Sequence, residues 1–143
     1  MDLLERARAL AACPLFADLA PAVVIRLAER AQASELAAGE RRTTDETVWV
    51  VVEGALAVVA RGEAALDASA STMRRRGGTA EPGHVVGLVR LVAAQTPVVE
   101  AIAYRPSRVL GLGLDDMRDV LEEDPGALTA LAAALADVLR GGS

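Results

Sequence analysis

Several residue types that build active sites and large cores are scarce in this 143-residue chain. It contains one cysteine, one histidine, one tryptophan, one tyrosine and one phenylalanine, and it contains no lysine. A single cysteine cannot form an internal disulfide, and a single histidine leaves no histidine pair for a metal site. With 2% aromatic and 52% hydrophobic residues, the core must consist mainly of alanine, valine and leucine.

Basic residues are outnumbered, which bears on the partners of the chain. All fifteen basic residues are arginines, against twenty acidic residues, and the net charge is −5. The arginine and alanine bias is typical of a GC-rich bacterial genome. Because affinity for a phosphate backbone depends on clustered positive charge, we expect no nucleic-acid partner.

Long hydrophobic runs are also absent. The apolar run 48–52, like every other apolar run of the sequence, is far shorter than the roughly 20 residues of a membrane-spanning helix, and no charged leader precedes an apolar segment. We therefore expect a cytoplasmic protein that does not insert into a membrane.

Helical periodicity is present near both ends of the chain. Apolar residues recur three and four positions apart, as they do on the buried face of a helix. This spacing predicts helices over 2–11, 21–32, 114–121 and 127–140. In the last of these, Leu128, Leu131, Leu135 and Val138 form an apolar stripe.

The middle of the chain has the composition of β-strands. The β-branched residues of 47–52 predict a buried strand, and 55–60 is predicted to form a β-hairpin with it. Pro82 and Gly83 predict a turn. Further strands are predicted at 85–86, 98–103 and 108–112. Residues 68–78 lack a clear period and are interpreted as an exposed loop.

Helices, then many short strands, then helices define the fold class. This order is typical of an α+β protein, not of alternating βαβ units. We predict a β-roll or jelly-roll-like barrel of short antiparallel strands within a single domain spanning 1–143. N-terminal helices would occupy 1–34, the β-roll 35–112 and C-terminal helices 113–140.

Three short segments match a known family in order and spacing. They are Pro14-Leu15-Phe16 ahead of a long helix, Ala38-Gly39-Glu40, and the segment 81–87, Glu-Pro-Gly-His-Val-Val-Gly. The chain thereby resembles the cyclic nucleotide-binding domains of catabolite-activator-type regulators, protein kinase A regulatory subunits and nucleotide-gated channels. The likeness covers nearly the whole chain.

The resemblance implies a phosphate-binding cassette that begins at Gly87. In the family, cassette backbone N–H groups bind the cyclic phosphate. A glutamate directly after the glycine binds the ribose, and an arginine about nine positions later pairs with the phosphate. Here those two positions hold Leu88 and Pro97. The candidate ligand-binding residues are Gly87, Leu88, Val89, Arg90, Thr96, Pro97, Val98 and Val99. We expect no cofactor, and cyclic AMP or cyclic GMP is disfavoured.

Other chemically notable residues have simple structural interpretations. Arg90 either faces an anion or faces solvent, and His84 is expected at the surface of a turn. Cys13 is expected to be a buried small hydrophobe. The arginines at 74–76 either dock an acidic partner or are solvated, and the carboxylates at 122–124 are expected at a helix end. We find no catalytic constellation and expect a protein that is not an enzyme.

Three functions remain open at this point. The first is a non-catalytic regulatory or assembly domain, which acts through a fused or partner protein or forms a homodimer through the last helix, from Ala127 to Arg140. The second is a sensor that binds a cyclic nucleotide or another small molecule through a rebuilt cassette containing Arg90. The third is part of a transcription factor, which requires a helix-turn-helix after this chain.

Overall fold

A computed structural model describes residues 1–60, 78–93, 95 and 97–139 of the chain. In these ranges the helices are α1 (Leu3–Ala11), a 3₁₀ turn (Pro14–Phe16), α2 (Pro21–Arg30), α3 (Val89–Val92), α4 (Leu114–Glu122) and α5 (Pro125–Leu139). The strands are β1 (Gln32–Leu36), β2 (Arg41–Thr43), β3 (Thr47–Glu53), β4 (Leu56–Ala60), β5 (Thr79–Ala80), β6 (Val85–Val86), β7 (Val99–Ala103) and β8 (Ser107–Gly113). The predicted arginine cluster at 74–76, most of the predicted loop at 68–78, and Thr96 lie outside the described residues.

The N-terminal helices follow the sequence signals closely. Asp2 caps α1, since its carboxylate oxygen accepts the backbone N–H of Glu5 at 2.8 Å. Pro21 begins α2, where a missing N–H costs nothing. However, α2 ends at Arg30, two residues before the predicted end, because Gln32 already pairs with Gly111 of β8. The β-region therefore starts at Gln32, inside the predicted helical segment 1–34.

The eight strands form two antiparallel sheets. The first has the order β1-β8-β3-β6, and the second has the order β2-β7-β4-β5. The α+β class and the jelly-roll-like arrangement of short antiparallel strands are confirmed. The strands do not close into a barrel within the described residues.

The predicted hairpin between 47–52 and 55–60 is wrong. β3 pairs with β8 and β6, whereas β4 pairs with β7 and β5 in the other sheet. The chain crosses from the first sheet to the second at Gly54, whose φ angle is +91°. A Cβ at this position would lie 2.2 Å from the side-chain oxygen of Ser107, so only glycine fits. β-branched composition predicted two strands here but could not predict their partners.

The described residues contain three groups of buried hydrophobic side chains, and the smallest consists of Ala57, Val59 and Ile102. The helical core lies between the helices and the first sheet, and its members include Leu10, Phe16, Leu27, Val48, Leu88, Leu110, Met117, Leu121 and Leu131. The inter-sheet core lies between the two sheets and consists of Leu36, Val51, Leu56, Ala80, Val86, Ala101, Ala103 and Val109. The cassette begins where these two cores meet, at the end of β6.

The C-terminal helices pack on the same domain. Asp115 and Asp116 lie in the first turn of α4, where carboxylates interact favourably with the helix dipole. α5 begins at Pro125, two residues earlier than the predicted start at Ala127, because proline is well suited to the first helical position. No helix within the described ranges is long and apolar enough to cross a membrane.

Candidate functional site

The backbone frame of the cassette is present. Gly83 in the turn and Gly87 at the end of β6 have φ angles of +90° and +92°. Such angles strain any residue with a Cβ, so the two glycines are required by the path of the chain. The N–H of Gly83 donates to the carbonyl of Val51 at 2.9 Å, which fixes the turn to β3. The glycine that predicted this turn in the sequence is therefore required by the backbone conformation of the turn.

Leu88 occupies the position at which the resemblance places a ribose-binding glutamate. Its side chain is 2% exposed and belongs to the helical core. Val89, the next residue, is half-buried against the same core. A carboxylate at position 88 would lose its hydration among apolar side chains. The start of the cassette thus contributes to packing where the family pattern has a ligand-binding group.

Backbone N–H groups in and directly after the short helix α3 donate to carbonyl groups of the cassette itself. The N–H of Arg90 donates to the carbonyl of Gly87 at 3.2 Å, and that of Leu91 donates to Leu88 at 3.0 Å. The N–H of Ala93 donates to Val89 at 2.9 Å. These three donors are consequently engaged within the cassette itself.

Arg90 faces carboxylates. Its side chain is 16% exposed, so it is not the solvent-facing arginine that one interpretation of the sequence expected. One guanidinium nitrogen lies 4.0 Å from a carboxylate oxygen of Asp45, in the turn between β2 and β3. Around it is a surface pocket of about 180 Å³, which Glu46, Asp115 and Arg118 also line. Three carboxylates and two arginines make this pocket net negative, which is unfavourable for a second anion.

Residues 97–99, which form the exit of the cassette into β7, include no cationic side chain. Pro97 is exposed, and Val98 and Val99 are half-buried. Proline has neither a charge nor an N–H to offer to a phosphate. Arg90 is the only cationic residue of the sequence between Gly87 and Val99. Thr96 lies outside the described residues, so its predicted role stays a prediction.

Thr44 is a cassette contact that sequence reasoning missed. It is fully buried, and its hydroxyl donates to the carbonyl of Val99 at 2.9 Å. The same hydroxyl accepts the N–H of Val99 at 3.0 Å. Residues 43–46, Thr-Thr-Asp-Glu, have the polar composition of an exposed turn. Threonine is common in exposed turns, so nothing in the pattern distinguished this buried threonine from a solvated one.

The single tryptophan connects the two sheets near the cassette. The indole N–H of Trp49 in β3 donates to the carbonyl of Thr43 in β2 at 2.8 Å. The guanidinium carbon of Arg42 lies 6.0 Å from the centre of the indole ring. A Cβ on Gly111 would lie 2.7 Å from that ring, so glycine makes room for it. Trp49 therefore joins the sheets at the cassette end.

The remaining candidates lie apart from the cassette. Cys13 is fully buried, as expected, and desolvation raises the pKa of its thiol to about 11. His84 is exposed and accepts the N–H of Glu81 through its Nδ1 atom at 2.9 Å, within the turn. Glu123, at the end of α4, forms an ion pair with Arg26 of α2. Within the described residues, no three histidine, cysteine or carboxylate side chains are grouped as metal ligands.

Comparisons with solved structures identify the fold of this chain. No family model and no curated protein matches the sequence. Among solved structures, the sensor domain of the transcriptional regulator DNR from Pseudomonas aeruginosa is 16% identical with a TM-score of 0.73, and the match covers 97% of this chain and 91% of that one. A proposed cyclic nucleotide-binding protein from Geobacter metallireducens is 16% identical with a TM-score of 0.70, covering 99% and 98%.

A third solved structure contains a ligand. It is a mutant regulatory subunit of a cAMP-independent protein kinase A from Trypanosoma brucei, bound to cAMP in its A site. It is 17% identical with a TM-score of 0.59, and the match covers 85% of this chain and 47% of that one. Identities this low establish the fold and not the ligand. With the frame around Gly83 and Gly87, they confirm that this chain has the fold of the cyclic nucleotide-binding domains.

Proposed function

We propose that this chain is a non-catalytic regulatory or assembly domain that does not bind cyclic AMP or cyclic GMP in the usual way. The observation that carries the proposal is Leu88. It occupies the position after the cassette glycine and is buried in the helical core at 2% exposure. A residue in that position cannot both support the core and bind a ribose hydroxyl.

Charge supports the same proposal. A cyclic phosphate carries one negative charge, which must be paired or hydrogen-bonded when water is removed. The one cation within the cassette, Arg90, already faces Asp45 at 4.0 Å. A nucleotide would have to compete with that carboxylate and with its neighbours Glu46 and Asp115. An arginine in this setting does not favour the sensor hypothesis.

The chemistry of the other side chains supports a non-catalytic role. A nucleophilic cysteine needs a lowered pKa and a basic neighbour. The pKa of Cys13 is instead raised to about 11, and its Sγ lies 3.4 Å from the carbonyl of Ala9 as a hydrogen-bond donor. His84 is exposed, and its Nδ1 atom accepts the N–H of Glu81 within the turn. We therefore assign neither residue a catalytic function.

The partner of this domain is another protein segment. The sensor domain from Pseudomonas aeruginosa belongs to a transcriptional regulator, which is a precedent for a domain of this fold acting through what it is attached to. A homodimer through α5 is the second form of this proposal. Leu131 and Leu135 pack inside the domain, whereas Leu128 is 39% exposed. A Leu128→Glu variant would therefore weaken such a dimer, which light scattering would detect as a lower mass.

Calorimetry with cyclic AMP and cyclic GMP tests the central part of the proposal. We expect no saturable heat at nucleotide concentrations up to about 1 mM, which corresponds to less than about 4 kcal/mol of binding free energy. Arg90→Ala should leave this result unchanged. Arg118→Ala is the matched control, because Arg118 lines the same pocket but lies on α4. Micromolar binding that is lost in Arg90→Ala and kept in Arg118→Ala would establish the sensor function instead.

A further inference from the structure

Thr44 contacts both ends of the cassette. At the exit, its hydroxyl and its backbone N–H both donate to the carbonyl of Val99, at 2.9 and 3.0 Å. Its hydroxyl oxygen also accepts the N–H of Val99 at 3.0 Å. At the start, a Cβ on Gly87 would lie 2.9 Å from the Thr44 methyl carbon. One side chain therefore lies against the first residue of the cassette and is hydrogen-bonded to the first residue of β7.

The contacts at the two ends are of different kinds. The pairing between β2 and β7 ends at Thr43 and Glu100, and Thr44 extends it by one residue through its backbone N–H and its hydroxyl. The contact with Gly87 is van der Waals packing of a methyl group against bare backbone. Because Thr44 is 0% exposed, water does not compete for its hydroxyl. The hydroxyl and the methyl group can therefore be removed separately.

We propose that Thr44 is an internal clasp that fixes the two ends of the cassette, Gly87 and Val99, without a ligand. The residue holds Gly87 and Val99 in fixed positions through contacts that belong to the chain itself. The clasp deepens the proposed function, because a domain that binds no nucleotide needs another means of fixing its cassette.

A neighbouring contact holds the clasp in place. Trp49 donates its indole N–H to the carbonyl of Thr43 at 2.8 Å, directly before Thr44 in the chain. Trp49 itself is paired with Val86, the residue before Gly87. The turn that carries Thr44 and the strand that leads into the cassette are thus fixed to the same residue of β3.

Hydrogen exchange of the free protein tests the clasp. Thr44→Val keeps the methyl contact with Gly87 but removes the acceptor of the Val99 N–H. Leaving a buried donor unpaired should raise the exchange rate of the Val99 amide by about tenfold or more. Amides in the middle of β3, such as Val50, should not change. Thr129→Val is the control, because that hydroxyl is exposed on α5 and donates only to Pro125.

A second variant removes the other contact. Thr44→Ser keeps the hydroxyl and removes the methyl group next to Gly87. The Val99 amide should keep its protection, while the amides of Arg90 and Leu91 in α3 should exchange several-fold faster. This variant also keeps the test decisive if Thr44→Val does not fold.

The opposite results would overturn the clasp. They are an unchanged Val99 rate in Thr44→Val, an equal rise at Val50, or loss of Val99 protection in Thr44→Ser. All of these measurements are made without nucleotide. A failure of the clasp is therefore distinguishable from nucleotide binding in calorimetry, which would contradict the proposed function.

Discussion

The helical core and the inter-sheet core differ in the size of their side chains. Among the largest fully buried side chains of the described ranges, Leu56 alone belongs to the inter-sheet core, and the others belong to the helical core. Phe16 and Met117 are in the helical core, whereas alanine and valine predominate between the sheets. Leu88 is the cassette residue that joins the larger core. The cassette is therefore built into the part of the molecule with the largest apolar groups.

This difference separates what the fold itself requires of the cassette from what a ligand would require. Gly83 and Gly87 are required by positive φ angles whether or not a ligand binds. A ribose-binding carboxylate is not required by the fold. An apolar side chain at position 88 instead stabilises the helical core.

The largest effect is expected from Leu88→Glu, which introduces the glutamate that the family resemblance places at this position. The substitution places a carboxylate in the helical core and should lower the free energy of unfolding by about 4 kcal/mol or more. Leu4→Glu is the control, because Leu4 is 58% exposed and the substitution should cost less than about 0.5 kcal/mol. Urea denaturation measures both. A Leu88→Glu variant as stable as the parent would contradict the assignment of Leu88 to the core.

A pair of truncations compares the two cores directly. Phe16→Ala in the helical core should cost about 3–5 kcal/mol. Val109→Ala in the inter-sheet core removes fewer methyl and methylene groups and should cost about 1–2 kcal/mol. Thermal or urea unfolding followed by circular dichroism gives both values. Equal costs would mean that the inter-sheet core contributes more than its side-chain sizes indicate.

Two glycine substitutions separate backbone strain from packing at the cassette. Gly39 and Gly87 have nearly equal φ angles of +91° and +92°, but nothing lies within 4 Å of a Cβ on Gly39. Gly39→Ala should therefore cost about 1–2 kcal/mol from strain alone. Gly87→Ala adds a clash with Thr44 and should cost about 1–3 kcal/mol more. If urea denaturation gives equal costs, Thr44 is not packed against Gly87.

A smaller effect is expected from the thiol of Cys13. Burial raises its pKa from 9.0 to about 11 in the folded state, so the folded protein holds the proton more tightly. Stability from this group is fully present below pH 9 and falls as pH rises from 9 towards 11. Cys13→Ala should remove that part of the alkaline decline, which is measured by urea denaturation at several pH values. A decline of unchanged size in the variant would assign it to other groups.

Several helices and turns of the fold could be predicted from residues that lie close together in the sequence. The capped helix after Asp2, the turn at Gly83 and the acidic start of α4 each depend on residues close together in the chain. The burial of Cys13 also followed from its position before Pro14. Local propensity and turn chemistry were sufficient in these cases.

The missed features depend on distant residues. β1 has the sequence Gln-Ala-Ser-Glu-Leu and is a strand because it pairs with β8, about 75 positions away in sequence. The separation of β3 from β4 depends on the approach of Ser107 to Gly54. Thr44 acquired its role from contacts with Gly87 and Val99. None of these contacts is encoded within a local window.

An NMR titration of the isotopically labelled protein with cyclic AMP tests the central claim most directly. The amides of Gly87, Val89 and Val99 report on the start and the exit of the cassette. We predict that their chemical shifts do not change up to about 1 mM nucleotide, since Leu88 and Thr44 keep the cassette engaged with the protein itself. Saturable shifts at these amides would contradict the account and show that the cassette binds the nucleotide.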